Sequence, residues 1–137
     1  MKLIQEIVLS YAKVQLFDNK LIRLEALGNV QINLAMAREM NNSIGVLTKG
    51  KPALVLLVGN ALTQVDQEAM DLSSSEEGLQ FTIGDAMVVK SIKERVLANF
   101  YLKFNRPKKP TKIFNSEEEA IKWLFSLEHK MVPAWFF

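Results

Sequence analysis

The chain holds one histidine, His129, and no cysteine. Thiol nucleophiles, disulfides and cysteine-bound zinc are excluded together. A multi-histidine metal centre is excluded as well, and most histidine-dependent catalysis loses its usual base. Gly45, Gly50, Gly59, Gly78 and Gly84 are scattered. They form neither Gly-x-Gly-x-x-Gly nor Gly-Lys-Ser/Thr, so nucleotide binding by those loops is ruled out. Carboxylates crowd two places: Asp66, Glu68 and Asp71 on one short helix, and Glu117, Glu118 and Glu119 at a helix start. Capping and the helix dipole account for the second group. His129 reads as a cation at a helix end. The expectation is a protein without enzyme activity, with no catalytic, cofactor-binding or metal residues and no cofactor.

Two segments point to binding instead. Residues 90–112 carry Lys90, Lys93, Arg95, Lys103, Arg106, Lys108, Lys109 and Lys112 against Glu94 alone, a charge of +7. Since the whole chain is +2, the remainder is −5. Lys103, Arg106, Lys108, Lys109 and Lys112 are the candidate anion or partner patch. Nucleic acid ranks low as its partner, because Tyr101 and Phe104 are expected inside the core at their three-four spacing, and single-strand platforms need exposed aromatics. The second segment is Met131-Val132-Pro133-Ala134-Trp135-Phe136-Phe137. Trp135, Phe136 and Phe137 are candidate apolar contacts, packed on their own chain, across a homodimer or, in third place, in a membrane interface.

The elements behind these residues follow from periodicity. Ala12, Val14 and Leu16 alternate with polar neighbours as a half-buried strand does. Asp18-Asn19 is a turn candidate, and residues 20–26 form the return strand of a hairpin. Residues 3–9 fit a strand or a short helix. Ile32, Ala35, Met36, Met40, Ile44 and Leu47 recur at helical spacing, with Asn29 as the candidate cap. Ala53–Val58 is a strand buried on both faces. Val65, Ala69 and Leu72 mark a second helix, capped by Thr63 or Asp66. Residues 85–89 form another interior strand. Ser91 and Glu94 open a helix carrying Val96, Leu97, Phe100, Tyr101 and Phe104, which must stop before Pro107. Residues 111–114 are a strand, and Ser116 with Glu119 opens a last helix whose inner face is Ile121, Leu124 and Leu127, joined by Trp123. Strands alternating with helices imply a sheet with a parallel part, made mixed by the opening hairpin.

That order resembles the STAS fold of anti-sigma-factor antagonists. Asp85-Ala86-Met87-Val88-Val89, Leu97-Ala98-Asn99-Phe100-Tyr101-Leu102, Pro110-Thr111-Lys112-Ile113-Phe114 and Ser116-Glu117-Glu118-Glu119-Ala120-Ile121-Lys122-Trp123-Leu124 are similar to a branch of uncharacterised bacterial SpoIIAA-like (STAS/SEC14-type) proteins. The resemblance covers about residues 10–127, with motif detail only over 85–124. It implies an α/β fold with a mixed sheet, an N-terminal hairpin and about four helices, in a single domain with an apolar tail at 128–137. The sigma-regulating members carry a phosphorylatable Asp-Ser-Ser/Thr-Gly motif. Thr63-Gln64-Val65-Asp66-Gln67-Glu68 stands there instead, so that switch is not implied. Ser73, Ser74 and Ser75 lie at a helix end beside Glu76 and Glu77, where a phosphate would meet like charge.

The function expected is a non-enzymatic regulatory or protein-interaction module, partnering itself as a homodimer or another protein. The alternative is a carrier or sensor of a lipid-like or anionic small ligand, held between helices and sheet. No stretch approaches the roughly 20 apolar residues of a membrane span, and the N-terminus lacks a signal-peptide pattern. Cytoplasmic residence is the expectation.

Overall fold

A computed structural model describes residues 1–131, with side chains through residue 128. The chain begins with β1 (Leu3–Val8), β2 (Ala12–Phe17), β3 (Leu21–Ala26), β4 (Gln31–Ile32), α1 (Leu34–Leu47) and β5 (Ala53–Val58). It continues through β6 (Gln64–Val65), α2 (Gln67–Ser74), β7 (Thr82–Val88), α3 (Ile92–Asn105), β8 (Thr111–Phe114) and α4 (Glu117–Met131). The main sheet has the order β1-β2-β3-β5-β7-β8. β1, β2 and β3 are antiparallel neighbours, whereas β3, β5, β7 and β8 run parallel. This is the mixed α/β architecture expected from the hairpin followed by alternating elements.

β5 explains why helices lie on both sides of the sheet. Its residues alternate between two apolar environments, as the strand period requires. Leu54, Leu56 and Val58 join Leu21, Ala86 and Val88 under α4 residues Ala120, Leu124 and Leu127. Val55 joins Ile22, Ile44 and Leu47 on the α1 side. The α4 layer is tight: a Cβ added at Gly84 would collide with the Leu127 side chain.

Helix starts are set by short polar side chains. Asn33, rather than Asn29, caps α1, its Oδ1 accepting from the Met36 amide at 2.9 Å. Ser91 Oγ accepts from the Glu94 amide at 3.2 Å, and the Glu94 carboxylate accepts from the Lys90 amide at 3.1 Å. Ser116 Oγ accepts from the Glu119 amide at 3.3 Å. α3 ends at Asn105, and Arg106 adopts a left-handed backbone (φ 48°) before Pro107.

The open choice over residues 3–9 is resolved, and two expectations change. Residues 3–8 are a strand. Val65 belongs to β6 rather than to the second helix, and Ile32 to β4 rather than to α1. The two short strands pair in parallel, Gln31 with Gln64 and Ile32 with Val65. That long-range pairing is invisible to local periodicity, and it delays both helices by a few residues. Finally, Phe100 and Phe104 are exposed, and Tyr101 alone of the three α3 aromatics is buried.

β3 is tied to the start of α4 by Arg23, whose Nε and Nη2 donate to the two Glu117 oxygens at 2.7 and 3.0 Å. The guanidinium holds the Glu117 carboxyl below its usual range. Such a depressed carboxyl contributes stability above its unfolded pKa and loses it as pH falls through the folded value. Glu117→Gln is therefore expected to cost about 1 kcal/mol at pH 7, after screening at a third-exposed site. The difference should vanish in acid, as followed by urea denaturation.

Candidate functional site

A cavity of about 320 Å³ lies between the sheet and the helices α1, α2 and α3. Leu24, Val55, Leu57 and Met87 supply its sheet side, and Met40, Ile44, Ala69 and Leu97 contribute from the helices. Small side chains leave the space open. Each covering helix presents a buried alanine to the cavity: Ala37 from α1, Ala69 from α2 and Ala98 from α3. One face of the sheet is thus filled by large side chains from α4, while the other is hollow.

Asp85 stands in this apolar wall. It is 8% exposed and sits centrally on β7, paired with Val55 on one side and Thr111 on the other. A bulge at the start of β7 sets its facing. Thr82 pairs with Ala53 but Gly84 with Leu54, so one residue is absorbed between them. Thr82, Asp85 and Met87 consequently line the cavity together. Among the described residues no hydrogen bond reaches the Asp85 carboxyl. Burial without a partner disfavours its charged form and raises its pKa to about 7. The Tyr101 phenol also lines the cavity. Its pKa is driven up, first by burial and then by the charge of Asp85.

The other polar groups in the lining are mostly engaged. Asn41 Nδ2 donates to the Glu77 carbonyl at 3.0 Å, and Asn60 Nδ2 to the Ala26 carbonyl at 3.3 Å. Glu94 is held by the start of α3. Thr63 Oγ1 is a buried hydroxyl without a partner that also lines the cavity. An apolar chamber with an unpaired carboxyl and an unpaired hydroxyl is suited to holding a small molecule by its body and orienting it by one polar group.

Residues 16–128 match the family described as Domain of unknown function (DUF7793). The chain belongs to the DUF7793 family. None of the curated proteins matches it. Among solved structures it is similar to an uncharacterised protein of the DUF3478 family with a SpoIIAA-like fold, from Shewanella loihica PV-4. The two share 13% identity over 90% of this chain and 98% of that one, with a TM-score of 0.56. At that identity the likeness is one of fold: this DUF7793 chain has a SpoIIAA-like fold.

The candidates read from the DUF7793 sequence fall elsewhere. Lys103, Arg106, Lys108, Lys109 and Lys112 are all exposed, on α3, on the connection after it and on β8, and none lines the cavity. Ser73, Ser74 and Ser75 turn their hydroxyls back onto the carbonyls of Ala69, Met70 and Leu72 at 2.9, 3.1 and 2.6 Å. They form the polar helix exit expected of them. Trp135, Phe136 and Phe137 and the His129 side chain lie outside the described residues, as does the tail-mediated homodimer built on them.

Asp85 was not singled out by the sequence reading. Its signal was present: a carboxylate inside a strand otherwise made of Ala86, Met87, Val88 and Val89. Val89 is buried, and interior strands seldom keep an acid without a purpose. The inward alanines could not have been recognised, because alanine is common on any helix.

Proposed function

We propose that the protein binds a small amphipathic molecule in the cavity above β5 and β7, with the ligand's hydrogen-bond-donating group against Asp85. The observation that carries this reading is the unpartnered, buried Asp85 carboxyl in an apolar chamber of about 320 Å³. That volume is at the lower end of ordinary small-molecule sites. Asp85 and Glu94 are the charged groups of the lining among the described residues. An anionic head group would find no cation there, so the anionic version of the ligand expectation gives way to an amine or a hydroxyl. A protonated amine would pair with Asp85 and restore its charge.

We read the site as one of binding rather than catalysis. A carboxyl near neutrality can serve general acid–base chemistry, but the nearby Tyr101 is pushed away from neutrality and offers no complementary proton donor or acceptor there.

The test is thermal unfolding with octylamine, octanol and octanoate at equal concentration, below their micellar range. The expected order of stabilisation is amine, then alcohol, then carboxylate. Ala37→Phe, which intrudes into the cavity from α1, should reduce the shifts sharply, with circular dichroism reporting an unchanged fold. Equal shifts from all three compounds, shifts that Ala37→Phe leaves undiminished, or none at all would reject the proposal.

A further inference from the structure

α3 carries its apolar side chains on the wrong side for a core helix. Ile92, Val96, Phe100 and Phe104 follow one another at intervals of four and are 84%, 60%, 48% and 61% exposed. Leu97 extends the same face and is 48% exposed. Ala98 and Tyr101 are the buried residues of the helix. On a helical projection the five exposed residues occupy an arc of roughly 140°, along about 18 Å of axis. Scattered exposed apolar residues are ordinary, whereas a continuous stripe on one helix marks a contact surface.

The stripe is basic as well. Exposed Lys93 and Lys103 lie within its arc, and exposed Arg106, Lys108 and Lys109 follow its C-terminal end. None of the ion pairs among the described residues uses these five. Lys103 Nζ lies 5.5 Å from the Phe104 ring centre, with its stem along the apolar strip.

We propose that the outer face of α3 docks on an anionic lipid surface. Charge and side-chain type together select this occupant. A second copy bringing the same face would set the +7 segment of one chain against that of the other. Nucleic acid would welcome the charge, but Ile92, Val96 and Leu97 have no ring on which a base can stack. Phe100 and Phe104 are the two rings of a face that is otherwise aliphatic, tilted against each other with centres 4.4 Å apart. An interfacial helix needs this combination: aliphatic and phenylalanine side chains for the acyl boundary, and lysine and arginine at headgroup level. Docking would also bring the ligand chamber to the bilayer, because Leu97 both lines the cavity and reaches the outer face. That last consequence rests on the cavity reading; the docking itself does not.

Co-sedimentation of the full chain with vesicles tests it, with no cavity ligand present. Binding is expected to equal mixtures of phosphatidylcholine and phosphatidylglycerol, weakly or not at all to phosphatidylcholine alone, and to fall with added salt. Phe100→Ser/Phe104→Ser should weaken binding by roughly 10- to 100-fold, from lost apolar transfer. These positions are exposed, so circular dichroism should report an unchanged fold. Lys103→Ala/Arg106→Ala/Lys108→Ala/Lys109→Ala should remove the preference for anionic vesicles, at about a 5-fold loss per charge. The proposal is overturned by absence of binding to either vesicle, or by binding that ignores the phenylalanine pair. It is equally overturned if single-stranded oligonucleotide binds in place of vesicles, or if light scattering finds an oligomer that Phe100→Ser/Phe104→Ser returns to monomer.

Discussion

Asp85→Asn is expected to raise the free energy of unfolding at pH 8 by about 2–4 kcal/mol and to leave it nearly unchanged at pH 4. Burial lifts the carboxyl from 3.8 to about 7. The folded chain therefore keeps this proton over a range where the unfolded chain has released it. Stability from such a raised group is complete below the unfolded pKa, is lost progressively as pH rises to about 7, and stays constant above. Each tenfold difference in proton affinity between the folded and unfolded chain is worth about 1.4 kcal/mol, which sets the upper bound. Asparagine has the same shape and no charge to desolvate. Urea titrations of both proteins at steps from pH 4 to 8 supply the difference curve, in which carboxyls common to both cancel. Glu117, whose pKa moves the opposite way, is among them. A flat difference curve would mean that Asp85 is solvated or paired, and the functional reading would lose its centre. Octylamine should flatten the curve too, by giving the charged carboxylate its partner.

Leu124→Ala is expected to cost about 3–5 kcal/mol. Leu124 is completely buried against Leu54, Leu56 and Ala86. The penalty combines lost transfer energy with a void the surroundings cannot fill. α4 already sits close to the sheet, as the crowding of Gly84 by Leu127 shows. Domains of this kind have only about 5–15 kcal/mol in hand, so the variant should unfold at markedly lower urea concentration. A loss below about 1 kcal/mol would show that α4 can close over the void. The outer face of α3 behaves differently: Phe100 and Phe104 meet solvent, and their replacement should move the midpoint little.

α3 also marks the limit of sequence reading. Its apolar residues fall on two faces, one with Ala98 and Tyr101 and one with Ile92, Val96, Phe100 and Phe104. Three-four spacing places both Tyr101 and Phe104 in the core. The structure keeps Tyr101 inside and turns Phe104 out, because α3 covers the edge of the sheet. Its neighbour there is β8, a strand of four residues, so little apolar surface is available to receive it. The segment's excess of positive charge, by contrast, was countable from composition alone, and the patch is exposed as that count suggested.

Features that depend on neighbours along the chain were legible in the sequence. The β2–β3 hairpin, the doubly buried β5, the serine caps at Ser91 and Ser116 and the stop before Pro107 all rest on local spacing. The exclusion of thiol and multi-histidine chemistry rests on composition alone. Tertiary packing set the rest: the β4–β6 pairing, the outward turn of α3, and the cavity. These depend on residues brought together from distant segments. Ala37, Ala69 and Ala98 are ordinary singly, and only their convergence over Asp85 turns missing volume into a site.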